Sequence, residues 1–345
     1  MSNSRDRVFD VIHNRIPDRV PYLELLISKT VIGEIHPGMD YYEFCKAEDI
    51  DFVFTKKDFQ NRWIDKKKQI YTNEWKMIRK AGREDTDDYI DGPIKTIGDL
   101  KKFKVPDPLD ERNFRTLKEV VRKYKTEKMI SFLTKATFNH PWYLMGSMQN
   151  YLMEYYLNPN LIEGLHRLTE EYYLPLTKRA IELGVDVIAL ADDYAYRHKM
   201  FIPRDKFKKY CLPSIDKMVE LAHSNGKYVL FHSDGNLEEV IDLIIDAGID
   251  FLHPLEPGAM DIRKIHKKYK DKVIICGNVD CAQTLAFGTV DDVAQEVISL
   301  IRDIAPEGRY VMSSSNTIHS QVNPKNYKVM LDTLKKYGRY PIGPH

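Results

Sequence analysis

An α/β fold, a (β/α)8 TIM barrel with an inserted hairpin and extra N-terminal elements, is what the sequence predicts. Short apolar runs alternate with amphipathic stretches through the second half. Three further apolar runs in the first half bring the strand candidates to eight. The late runs each end in His, Asp, Glu or Asn, on the side where helix-covered parallel strands stay open to ligand. One domain over 1–345 accommodates all of this.

In chain order, Val20 to Leu26, Asp51 to Phe54 and Met129 to Leu133 are the early strand candidates. Between the second and third, Asn61 to Arg79 carries Trp63, Tyr71, Trp75 and Ile78 among polar residues, which predicts a β-hairpin insertion at about 57–82. Asp91-Gly-Pro-Ile-Lys-Thr and Val105-Pro-Asp-Pro read as turn-bounded connectors. Val185 to Ala191 is the fourth strand, followed by a helix over 203–224. Lys227 to Phe231 precedes a helix from Leu237, and Ile249 to Leu255 precedes one over 261–269. Val273 to Cys276 precedes a helix over 290–304, and Tyr310-Val-Met-Ser precedes one over 324–337.

Composition narrows the function. With 52 basic and 51 acidic residues, no charge excess draws the chain to nucleic acid or an anionic membrane. No stretch reaches the roughly 20 apolar residues of a membrane helix, and the charged start MSNSRDRVFD has no signal-peptide core. Cys45, Cys211, Cys276 and Cys281 show no CxxC spacing, so reduced thiols and a cytoplasmic location are expected. Oligomeric state is open, a homodimer included. No GxGxxG or GxxxxGK[ST] motif supports a dinucleotide or P-loop site.

The chemistry is expected at the late strand ends. The fourth delivers Asp192, Asp193 and Tyr194, the fifth His232 and Asp234, and the sixth His253 and Glu256. The seventh delivers Asn278 and Asp280, and the eighth Asn316 and His319. Turns favour Asp, Asn and Gly on their own account, but acids and imidazoles at five successive ends predict a shared polar pocket. His232 and Asp234 point to one side, because residues two apart on a strand do. Imidazole and carboxylate suit a metal such as zinc or an acid/base pair, and the spacing does not choose. Glu256, flanked by Leu255 and Pro257, is costly to bury without a role. One of Asp192 and Asp193 reads as a helix cap. Asp280 is open to the same capping role.

The pieces ALADDY, HSDGN, AGIDFLHPLEP, GNVD and SSSNTIHSQVNPKNY, with the connector GPIKTIGDLKKFKVPDP, resemble the uroporphyrinogen decarboxylase superfamily, which includes corrinoid-dependent methyltransferases. The resemblance implies a (β/α)8 barrel. Its decarboxylases carry an Arg-rich segment after the first strand to hold substrate carboxylates. Here that region reads PYLELLISKT, with no Arg between Arg19 and Arg62. Their catalytic Asp after the second strand is also missing, with Lys56 near its place. The coenzyme M methyltransferases carry His-x-Cys and a later Cys on zinc. This chain keeps His232, and has Asp234 and Asn316 at the Cys positions.

Oxygen donors in place of thiolates argue against thiol activation. The resemblance then implies a methyltransferase that moves a methyl group from a methoxylated aromatic or similar small-molecule donor to cobalamin carried by a partner corrinoid protein. Decarboxylation of a less carboxylated substrate is the alternative. In the methyltransferase reading His232, Asp234, Glu256 and Asp193 are catalytic, and His232, Asp234 and Glu256 hold zinc if a metal is bound. Tyr194, Asn278, Asp280, Asn316 and His319 contact substrate.

Overall fold

The computed structural model describes residues 3–82 and 87–343. Its strands, in chain order, are β1 Phe52–Lys56, β2 Arg62–Asp65, β3 Ile70–Thr72, β4 Ile78–Lys80, β5 Asp88–Asp91, β6 Met129–Thr134 and β7 Val187–Ala191. They continue with β8 Ala195–Tyr196, β9 Lys199–Met200, β10 Tyr228–His232, β11 Phe251–His253, β12 Ile274–Cys276 and β13 Tyr310–Val311. Seven of them form one curled parallel sheet of TIM-like type, in the order β1-β6-β7-β10-β11-β12-β13. Neighbours in this sheet are also consecutive along the chain apart from the inserted segments, the order that short connections between successive elements favour.

These strands are apolar on both faces because helices cover one and the sheet's concave side closes over the other. Alternation separates the two sets. Phe52, Phe54, Val187, Ala189, Leu230 and Phe251 join one inner cluster, whereas Val53, Ile188, Leu190, Val229, Phe231 and Leu252 join the larger helix-facing core. Val8 and Val11, from the helix Ser4–Ile12, belong to the inner cluster as well.

The expected first strand is not regular. Pro21 has no N–H for a ladder, and residues 20–27 make only isolated bridges. They still touch both sheet edges. Leu23 N donates to Met312 O at 3.0 Å, Met312 N to Pro21 O at 2.9 Å, and Asp51 N to Tyr22 O at 3.0 Å.

The expected hairpin at 57–82 is larger. β2, β3, β4 and β5 form a four-stranded antiparallel sheet that extends to Asp91. Its last strand, Asp-Tyr-Ile-Asp, is too short and polar to announce itself by pattern. A helical run over 139–183 was also not signalled. It comprises Asn139–Met145, Met148–Leu157 and the 25-residue Pro159–Leu183. The helix expected over 203–224 is interrupted by a π-helical turn at Phe207–Cys211. No described helix is long and apolar enough to cross a membrane.

Candidate active site

His232 ends β10 two residues after Leu230, so alternation turns it to the concave side. Its register partner on β11 is His253, which follows Phe251 in the same way. The two imidazoles meet through Nδ1 atoms 2.8 Å apart, so one ring donates and the other accepts. That contact orients His232 and leaves its Nε2 3.8 Å from Asp193 Oδ1 and 3.7 Å from Asp234 Oδ1. Both distances exceed a hydrogen bond. Burial pushes the His232 imidazole down to about 4 against the pull of Asp193, and it is neutral at pH 7.

Asp234 is held by Asn316, whose Nδ2 donates to Oδ2 at 2.5 Å. Oδ1 is buried without a partner among the described residues. Burial, with Asp193 and Glu256 adding to it, pushes this carboxyl well above the usual range, while Asn316 opposes the shift. Asp193 Oδ1 accepts from Asp234 N at 3.2 Å, and Oδ2 accepts from Asn139 Nδ2 at 3.2 Å. One donor atom each from Asp193, His232 and Asp234 lies within 4.8 Å of the others.

This donor set fits a divalent cation. A neutral imidazole has a free Nε2, its other nitrogen is fixed by a neighbour, and a buried carboxylate oxygen has no other partner. Without a cation, Asp234 satisfies the same constraints as a neutral acid.

Backbone devices hold the three in place. Gly235 adopts φ +83°, and a Cβ there would lie 2.6 Å from the Ala195 carbonyl carbon. Only glycine allows the β10 turn to approach the β8 segment so closely. Gly235 N donates to Glu256 Oε2 at 3.1 Å. Buried Asp192 accepts from Ala136 N, Phe138 N and Asn139 N at 2.9, 3.1 and 3.1 Å, fixing the turn that delivers Asn139.

The site opens into a cavity of about 1230 Å³ lined by Asp193, His232, Asp234 and Asn316. Lys56, Lys57, Lys135 and His140 also line it, as do Tyr71, Arg79 and Tyr89 from the inserted sheet.

Several expected site residues do other work. Glu256 is outside the three-donor cluster, because its carboxylate is engaged by the Gly235 turn. Tyr194 is fully buried and stacks on Phe231, so its ring belongs to the core. Asn278 donates to Leu255 O, tying two strand ends together. Asp280 accepts from Ala282 N and Gln283 N at 2.8 and 2.9 Å, which closes the turn at 281–283 and does not cap the helix Thr284–Phe287 that follows. His319 accepts from Gln321 N at 3.3 Å within its own loop.

Sequence reasoning passed over Lys135, Asn139 and His140. All three follow β6, and the rule applied to the later strand ends would have found them. Glu24 was passed over too. It is fully buried, takes Ser314 N and Ser314 Oγ at 2.7 Å each, and accepts from Tyr22 OH at 2.7 Å. Burial raises its carboxyl to about 7 against those three donors.

Parallel strands whose C-terminal ends converge on a polar cavity define a TIM-like α/β protein with its candidate site in the strand-end face. The model of the uroporphyrinogen decarboxylase (URO-D) family matches residues 82–337, and the chain belongs to that family. It is 26% identical over 185 residues to a uroporphyrinogen decarboxylase of Chlorobium phaeobacteroides, a match covering 51% of this chain and 48% of that protein. It is 21% identical over 261 residues to the one of Myxococcus xanthus, covering 71% and 70%. Among solved structures, a methyltransferase from Methanosarcina mazei superposes with a TM-score of 0.72 at 16% identity, over 98% of this chain and 99% of that one. That likeness is one of fold.

Proposed function

We propose that the chain is a methyltransferase that takes a methyl group from a methoxylated aromatic or similar donor and passes it to cobalamin on a corrinoid partner protein. The observation that carries the reading is the Asp193–His232–Asp234 cluster, with its unpartnered Asp234 oxygen, opening into a cavity of about 1230 Å³, large enough for a small aromatic molecule. The fold shared with the Methanosarcina mazei methyltransferase is compatible with it.

An aryl ether resists methyl loss because the departing oxygen would carry full charge. His232 Nε2, Asp193 and Asp234 are the residues that would hold zinc, and a bound divalent cation supplies Lewis-acid stabilisation to that oxygen. His253 keeps the His232 ring oriented, and Asn316 fixes Asp234 Oδ2. In the metal-free form burial raises the Asp234 carboxyl well above the usual range, which favours its holding a proton that it can give to the departing oxygen. With a reduced corrinoid as acceptor, the methyl–oxygen bond would break with its electron pair staying on the oxygen, which would take the Asp234 proton, and the methyl would be accepted by the corrinoid.

A second reading, decarboxylation of a less carboxylated substrate, is favoured by the relatives' names and by the cations in the cavity. Lys57, Lys135 and Arg79 supply positive charge that the Arg-poor segment after residue 19 does not. One assay separates the two. The full chain is incubated with reduced cobalamin and methoxyaromatic or carboxylated donors, and methylcobalamin and CO2 are both measured. Methylcobalamin formation that His232→Ala abolishes supports methyl transfer. CO2 release without it overturns that reading.

A further inference from the structure

Residues 20–27 run beside the stretch that follows β13, and the seam between them is irregular. Isolated parallel bridges pair Tyr22 with Met312 and Ile27 with Ile318. The path from Met312 to Ile318 is one residue longer than the path from Tyr22 to Ile27, so the register slips between the bridges. Met312 N donates to Pro21 O and Leu23 N to Met312 O, as in a parallel ladder. The next N–H in that series, of Ser314, goes to a side chain instead. Glu24 Oε1 accepts it at 2.7 Å, and Glu24 Oε2 accepts from Ser314 Oγ at 2.7 Å. One carboxylate thus holds one residue at two points, in place of a missing rung.

Burying a carboxyl group is costly, and Glu24 is fully buried away from the cavity. Its grip is anchored in the core, since Tyr22 OH donates to Oε1 at 2.7 Å and stands 3.1 Å from Tyr327 OH of the helix Pro324–Tyr337. On the opposite flank Ser315 N donates to Val279 O at 2.8 Å, and Cys281 N donates to Ser315 Oγ at 3.1 Å. Asn316 comes next, and its Nδ2 holds Asp234 Oδ2. Two residues, about 7 Å of extended chain, separate the Glu24 grip from the residue that fixes Asp234. A shift of about 1 Å at Asn316 is enough to break that hydrogen bond.

We propose that Glu24 is a positioning residue for the Asp193–His232–Asp234 cluster: through its hold on Ser314 it places Asn316 on Asp234. That this placement serves methyl transfer rests on the reading above; the link from Glu24 to Asn316 does not.

The side-chain amide protons of Asn316 test it, read by 15N–1H NMR on the metal-free full chain and identified by their disappearance in Asn316→Ala. Glu24→Leu should speed their exchange with solvent by about fivefold or more, the worth of one hydrogen bond. Glu24→Gln, whose amide oxygen still accepts from Ser314 N, should restore slow exchange. Ser314→Ala removes only the hydroxyl half of the grip, so it should move the rate in the same direction by less, and it serves if Glu24→Leu does not fold. Tyr327→Phe loosens the same core without touching Ser314, and it should leave the rate within about twofold. An unchanged Asn316 rate in folded Glu24→Leu, or in Ser314→Ala if Glu24→Leu does not fold, overturns the proposal, as does an equal rise in Tyr327→Phe. A Glu24-dependent Asn316 rate in a chain that forms no methylcobalamin supports the link and sinks the methyl-transfer reading alone.

Discussion

Replacing Glu24 by Gln should change how stability depends on pH. Glu24 is fully buried, and burial raises its carboxyl from 4.5 to about 7. The unfolded chain releases this proton near pH 4.5, whereas the folded chain keeps it until about pH 7. Between these values the native state binds more protons, so stability falls as pH rises and levels off above about 7. For those two values the linkage relation gives a loss of about 2.5 kcal/mol between pH 5 and pH 8. A Gln at this position can accept from Ser314 N and donate to a neighbouring hydroxyl, because Ser314 Oγ and Tyr22 OH can each reverse roles. The variant should therefore lack the loss, and taking the difference between the two proteins cancels every other titrating group. Urea unfolding at pH 5 and pH 8, with equal m-values, measures it. A wild-type minus variant difference that is the same at both pH values refutes the assignment of a raised, protonated Glu24.

Three further substitutions address the scaffold of the site. Gly235→Ala should destabilise by about 2–4 kcal/mol, since φ +83° and the Ala195 backbone both oppose a Cβ; thermal unfolding reads this directly. Asp192→Ala should cost about 3 kcal/mol or more, because three buried N–H groups lose their acceptor, and hydrogen exchange at Ala136, Phe138 and Asn139 should accelerate with it. Tyr194→Phe should leave KM within about twofold, since the hydroxyl is buried and only 3.5 Å from Asp192; a tenfold rise would place that ring against substrate after all.

Much of the fold was legible because its signals are local. The helices Val290–Ile304 and Pro324–Tyr337 begin where Thr289 and Asn323 cap them. The buried parallel strands stood out as uninterrupted apolar runs. Pro159–Leu183 was not legible, since its buried positions include Gly164, His166, Thr169 and Thr177 and leave no simple apolar stripe.

The site divides along the same line. His232 and Asp234 could be read from a two-residue spacing at a strand end. Which carboxylate joins them could not, because that depends on side-chain reach between β7 and β10. Asp193 meets them, while Glu256 is turned to Gly235. Arg79 and Tyr89 enter the cavity only through pairing within the inserted sheet, a long-range outcome that no local pattern encodes.

The proposed chemistry depends on Asp193, His232 and Asp234 holding one divalent cation between them. Titrating the metal-stripped full chain with Co(II), followed by calorimetry and by the visible spectrum, tests it most directly. One site per chain is expected, lost in His232→Ala and Asp234→Ala and retained in Glu256→Gln. No binding by the wild-type chain, or binding that survives His232→Ala, would contradict it.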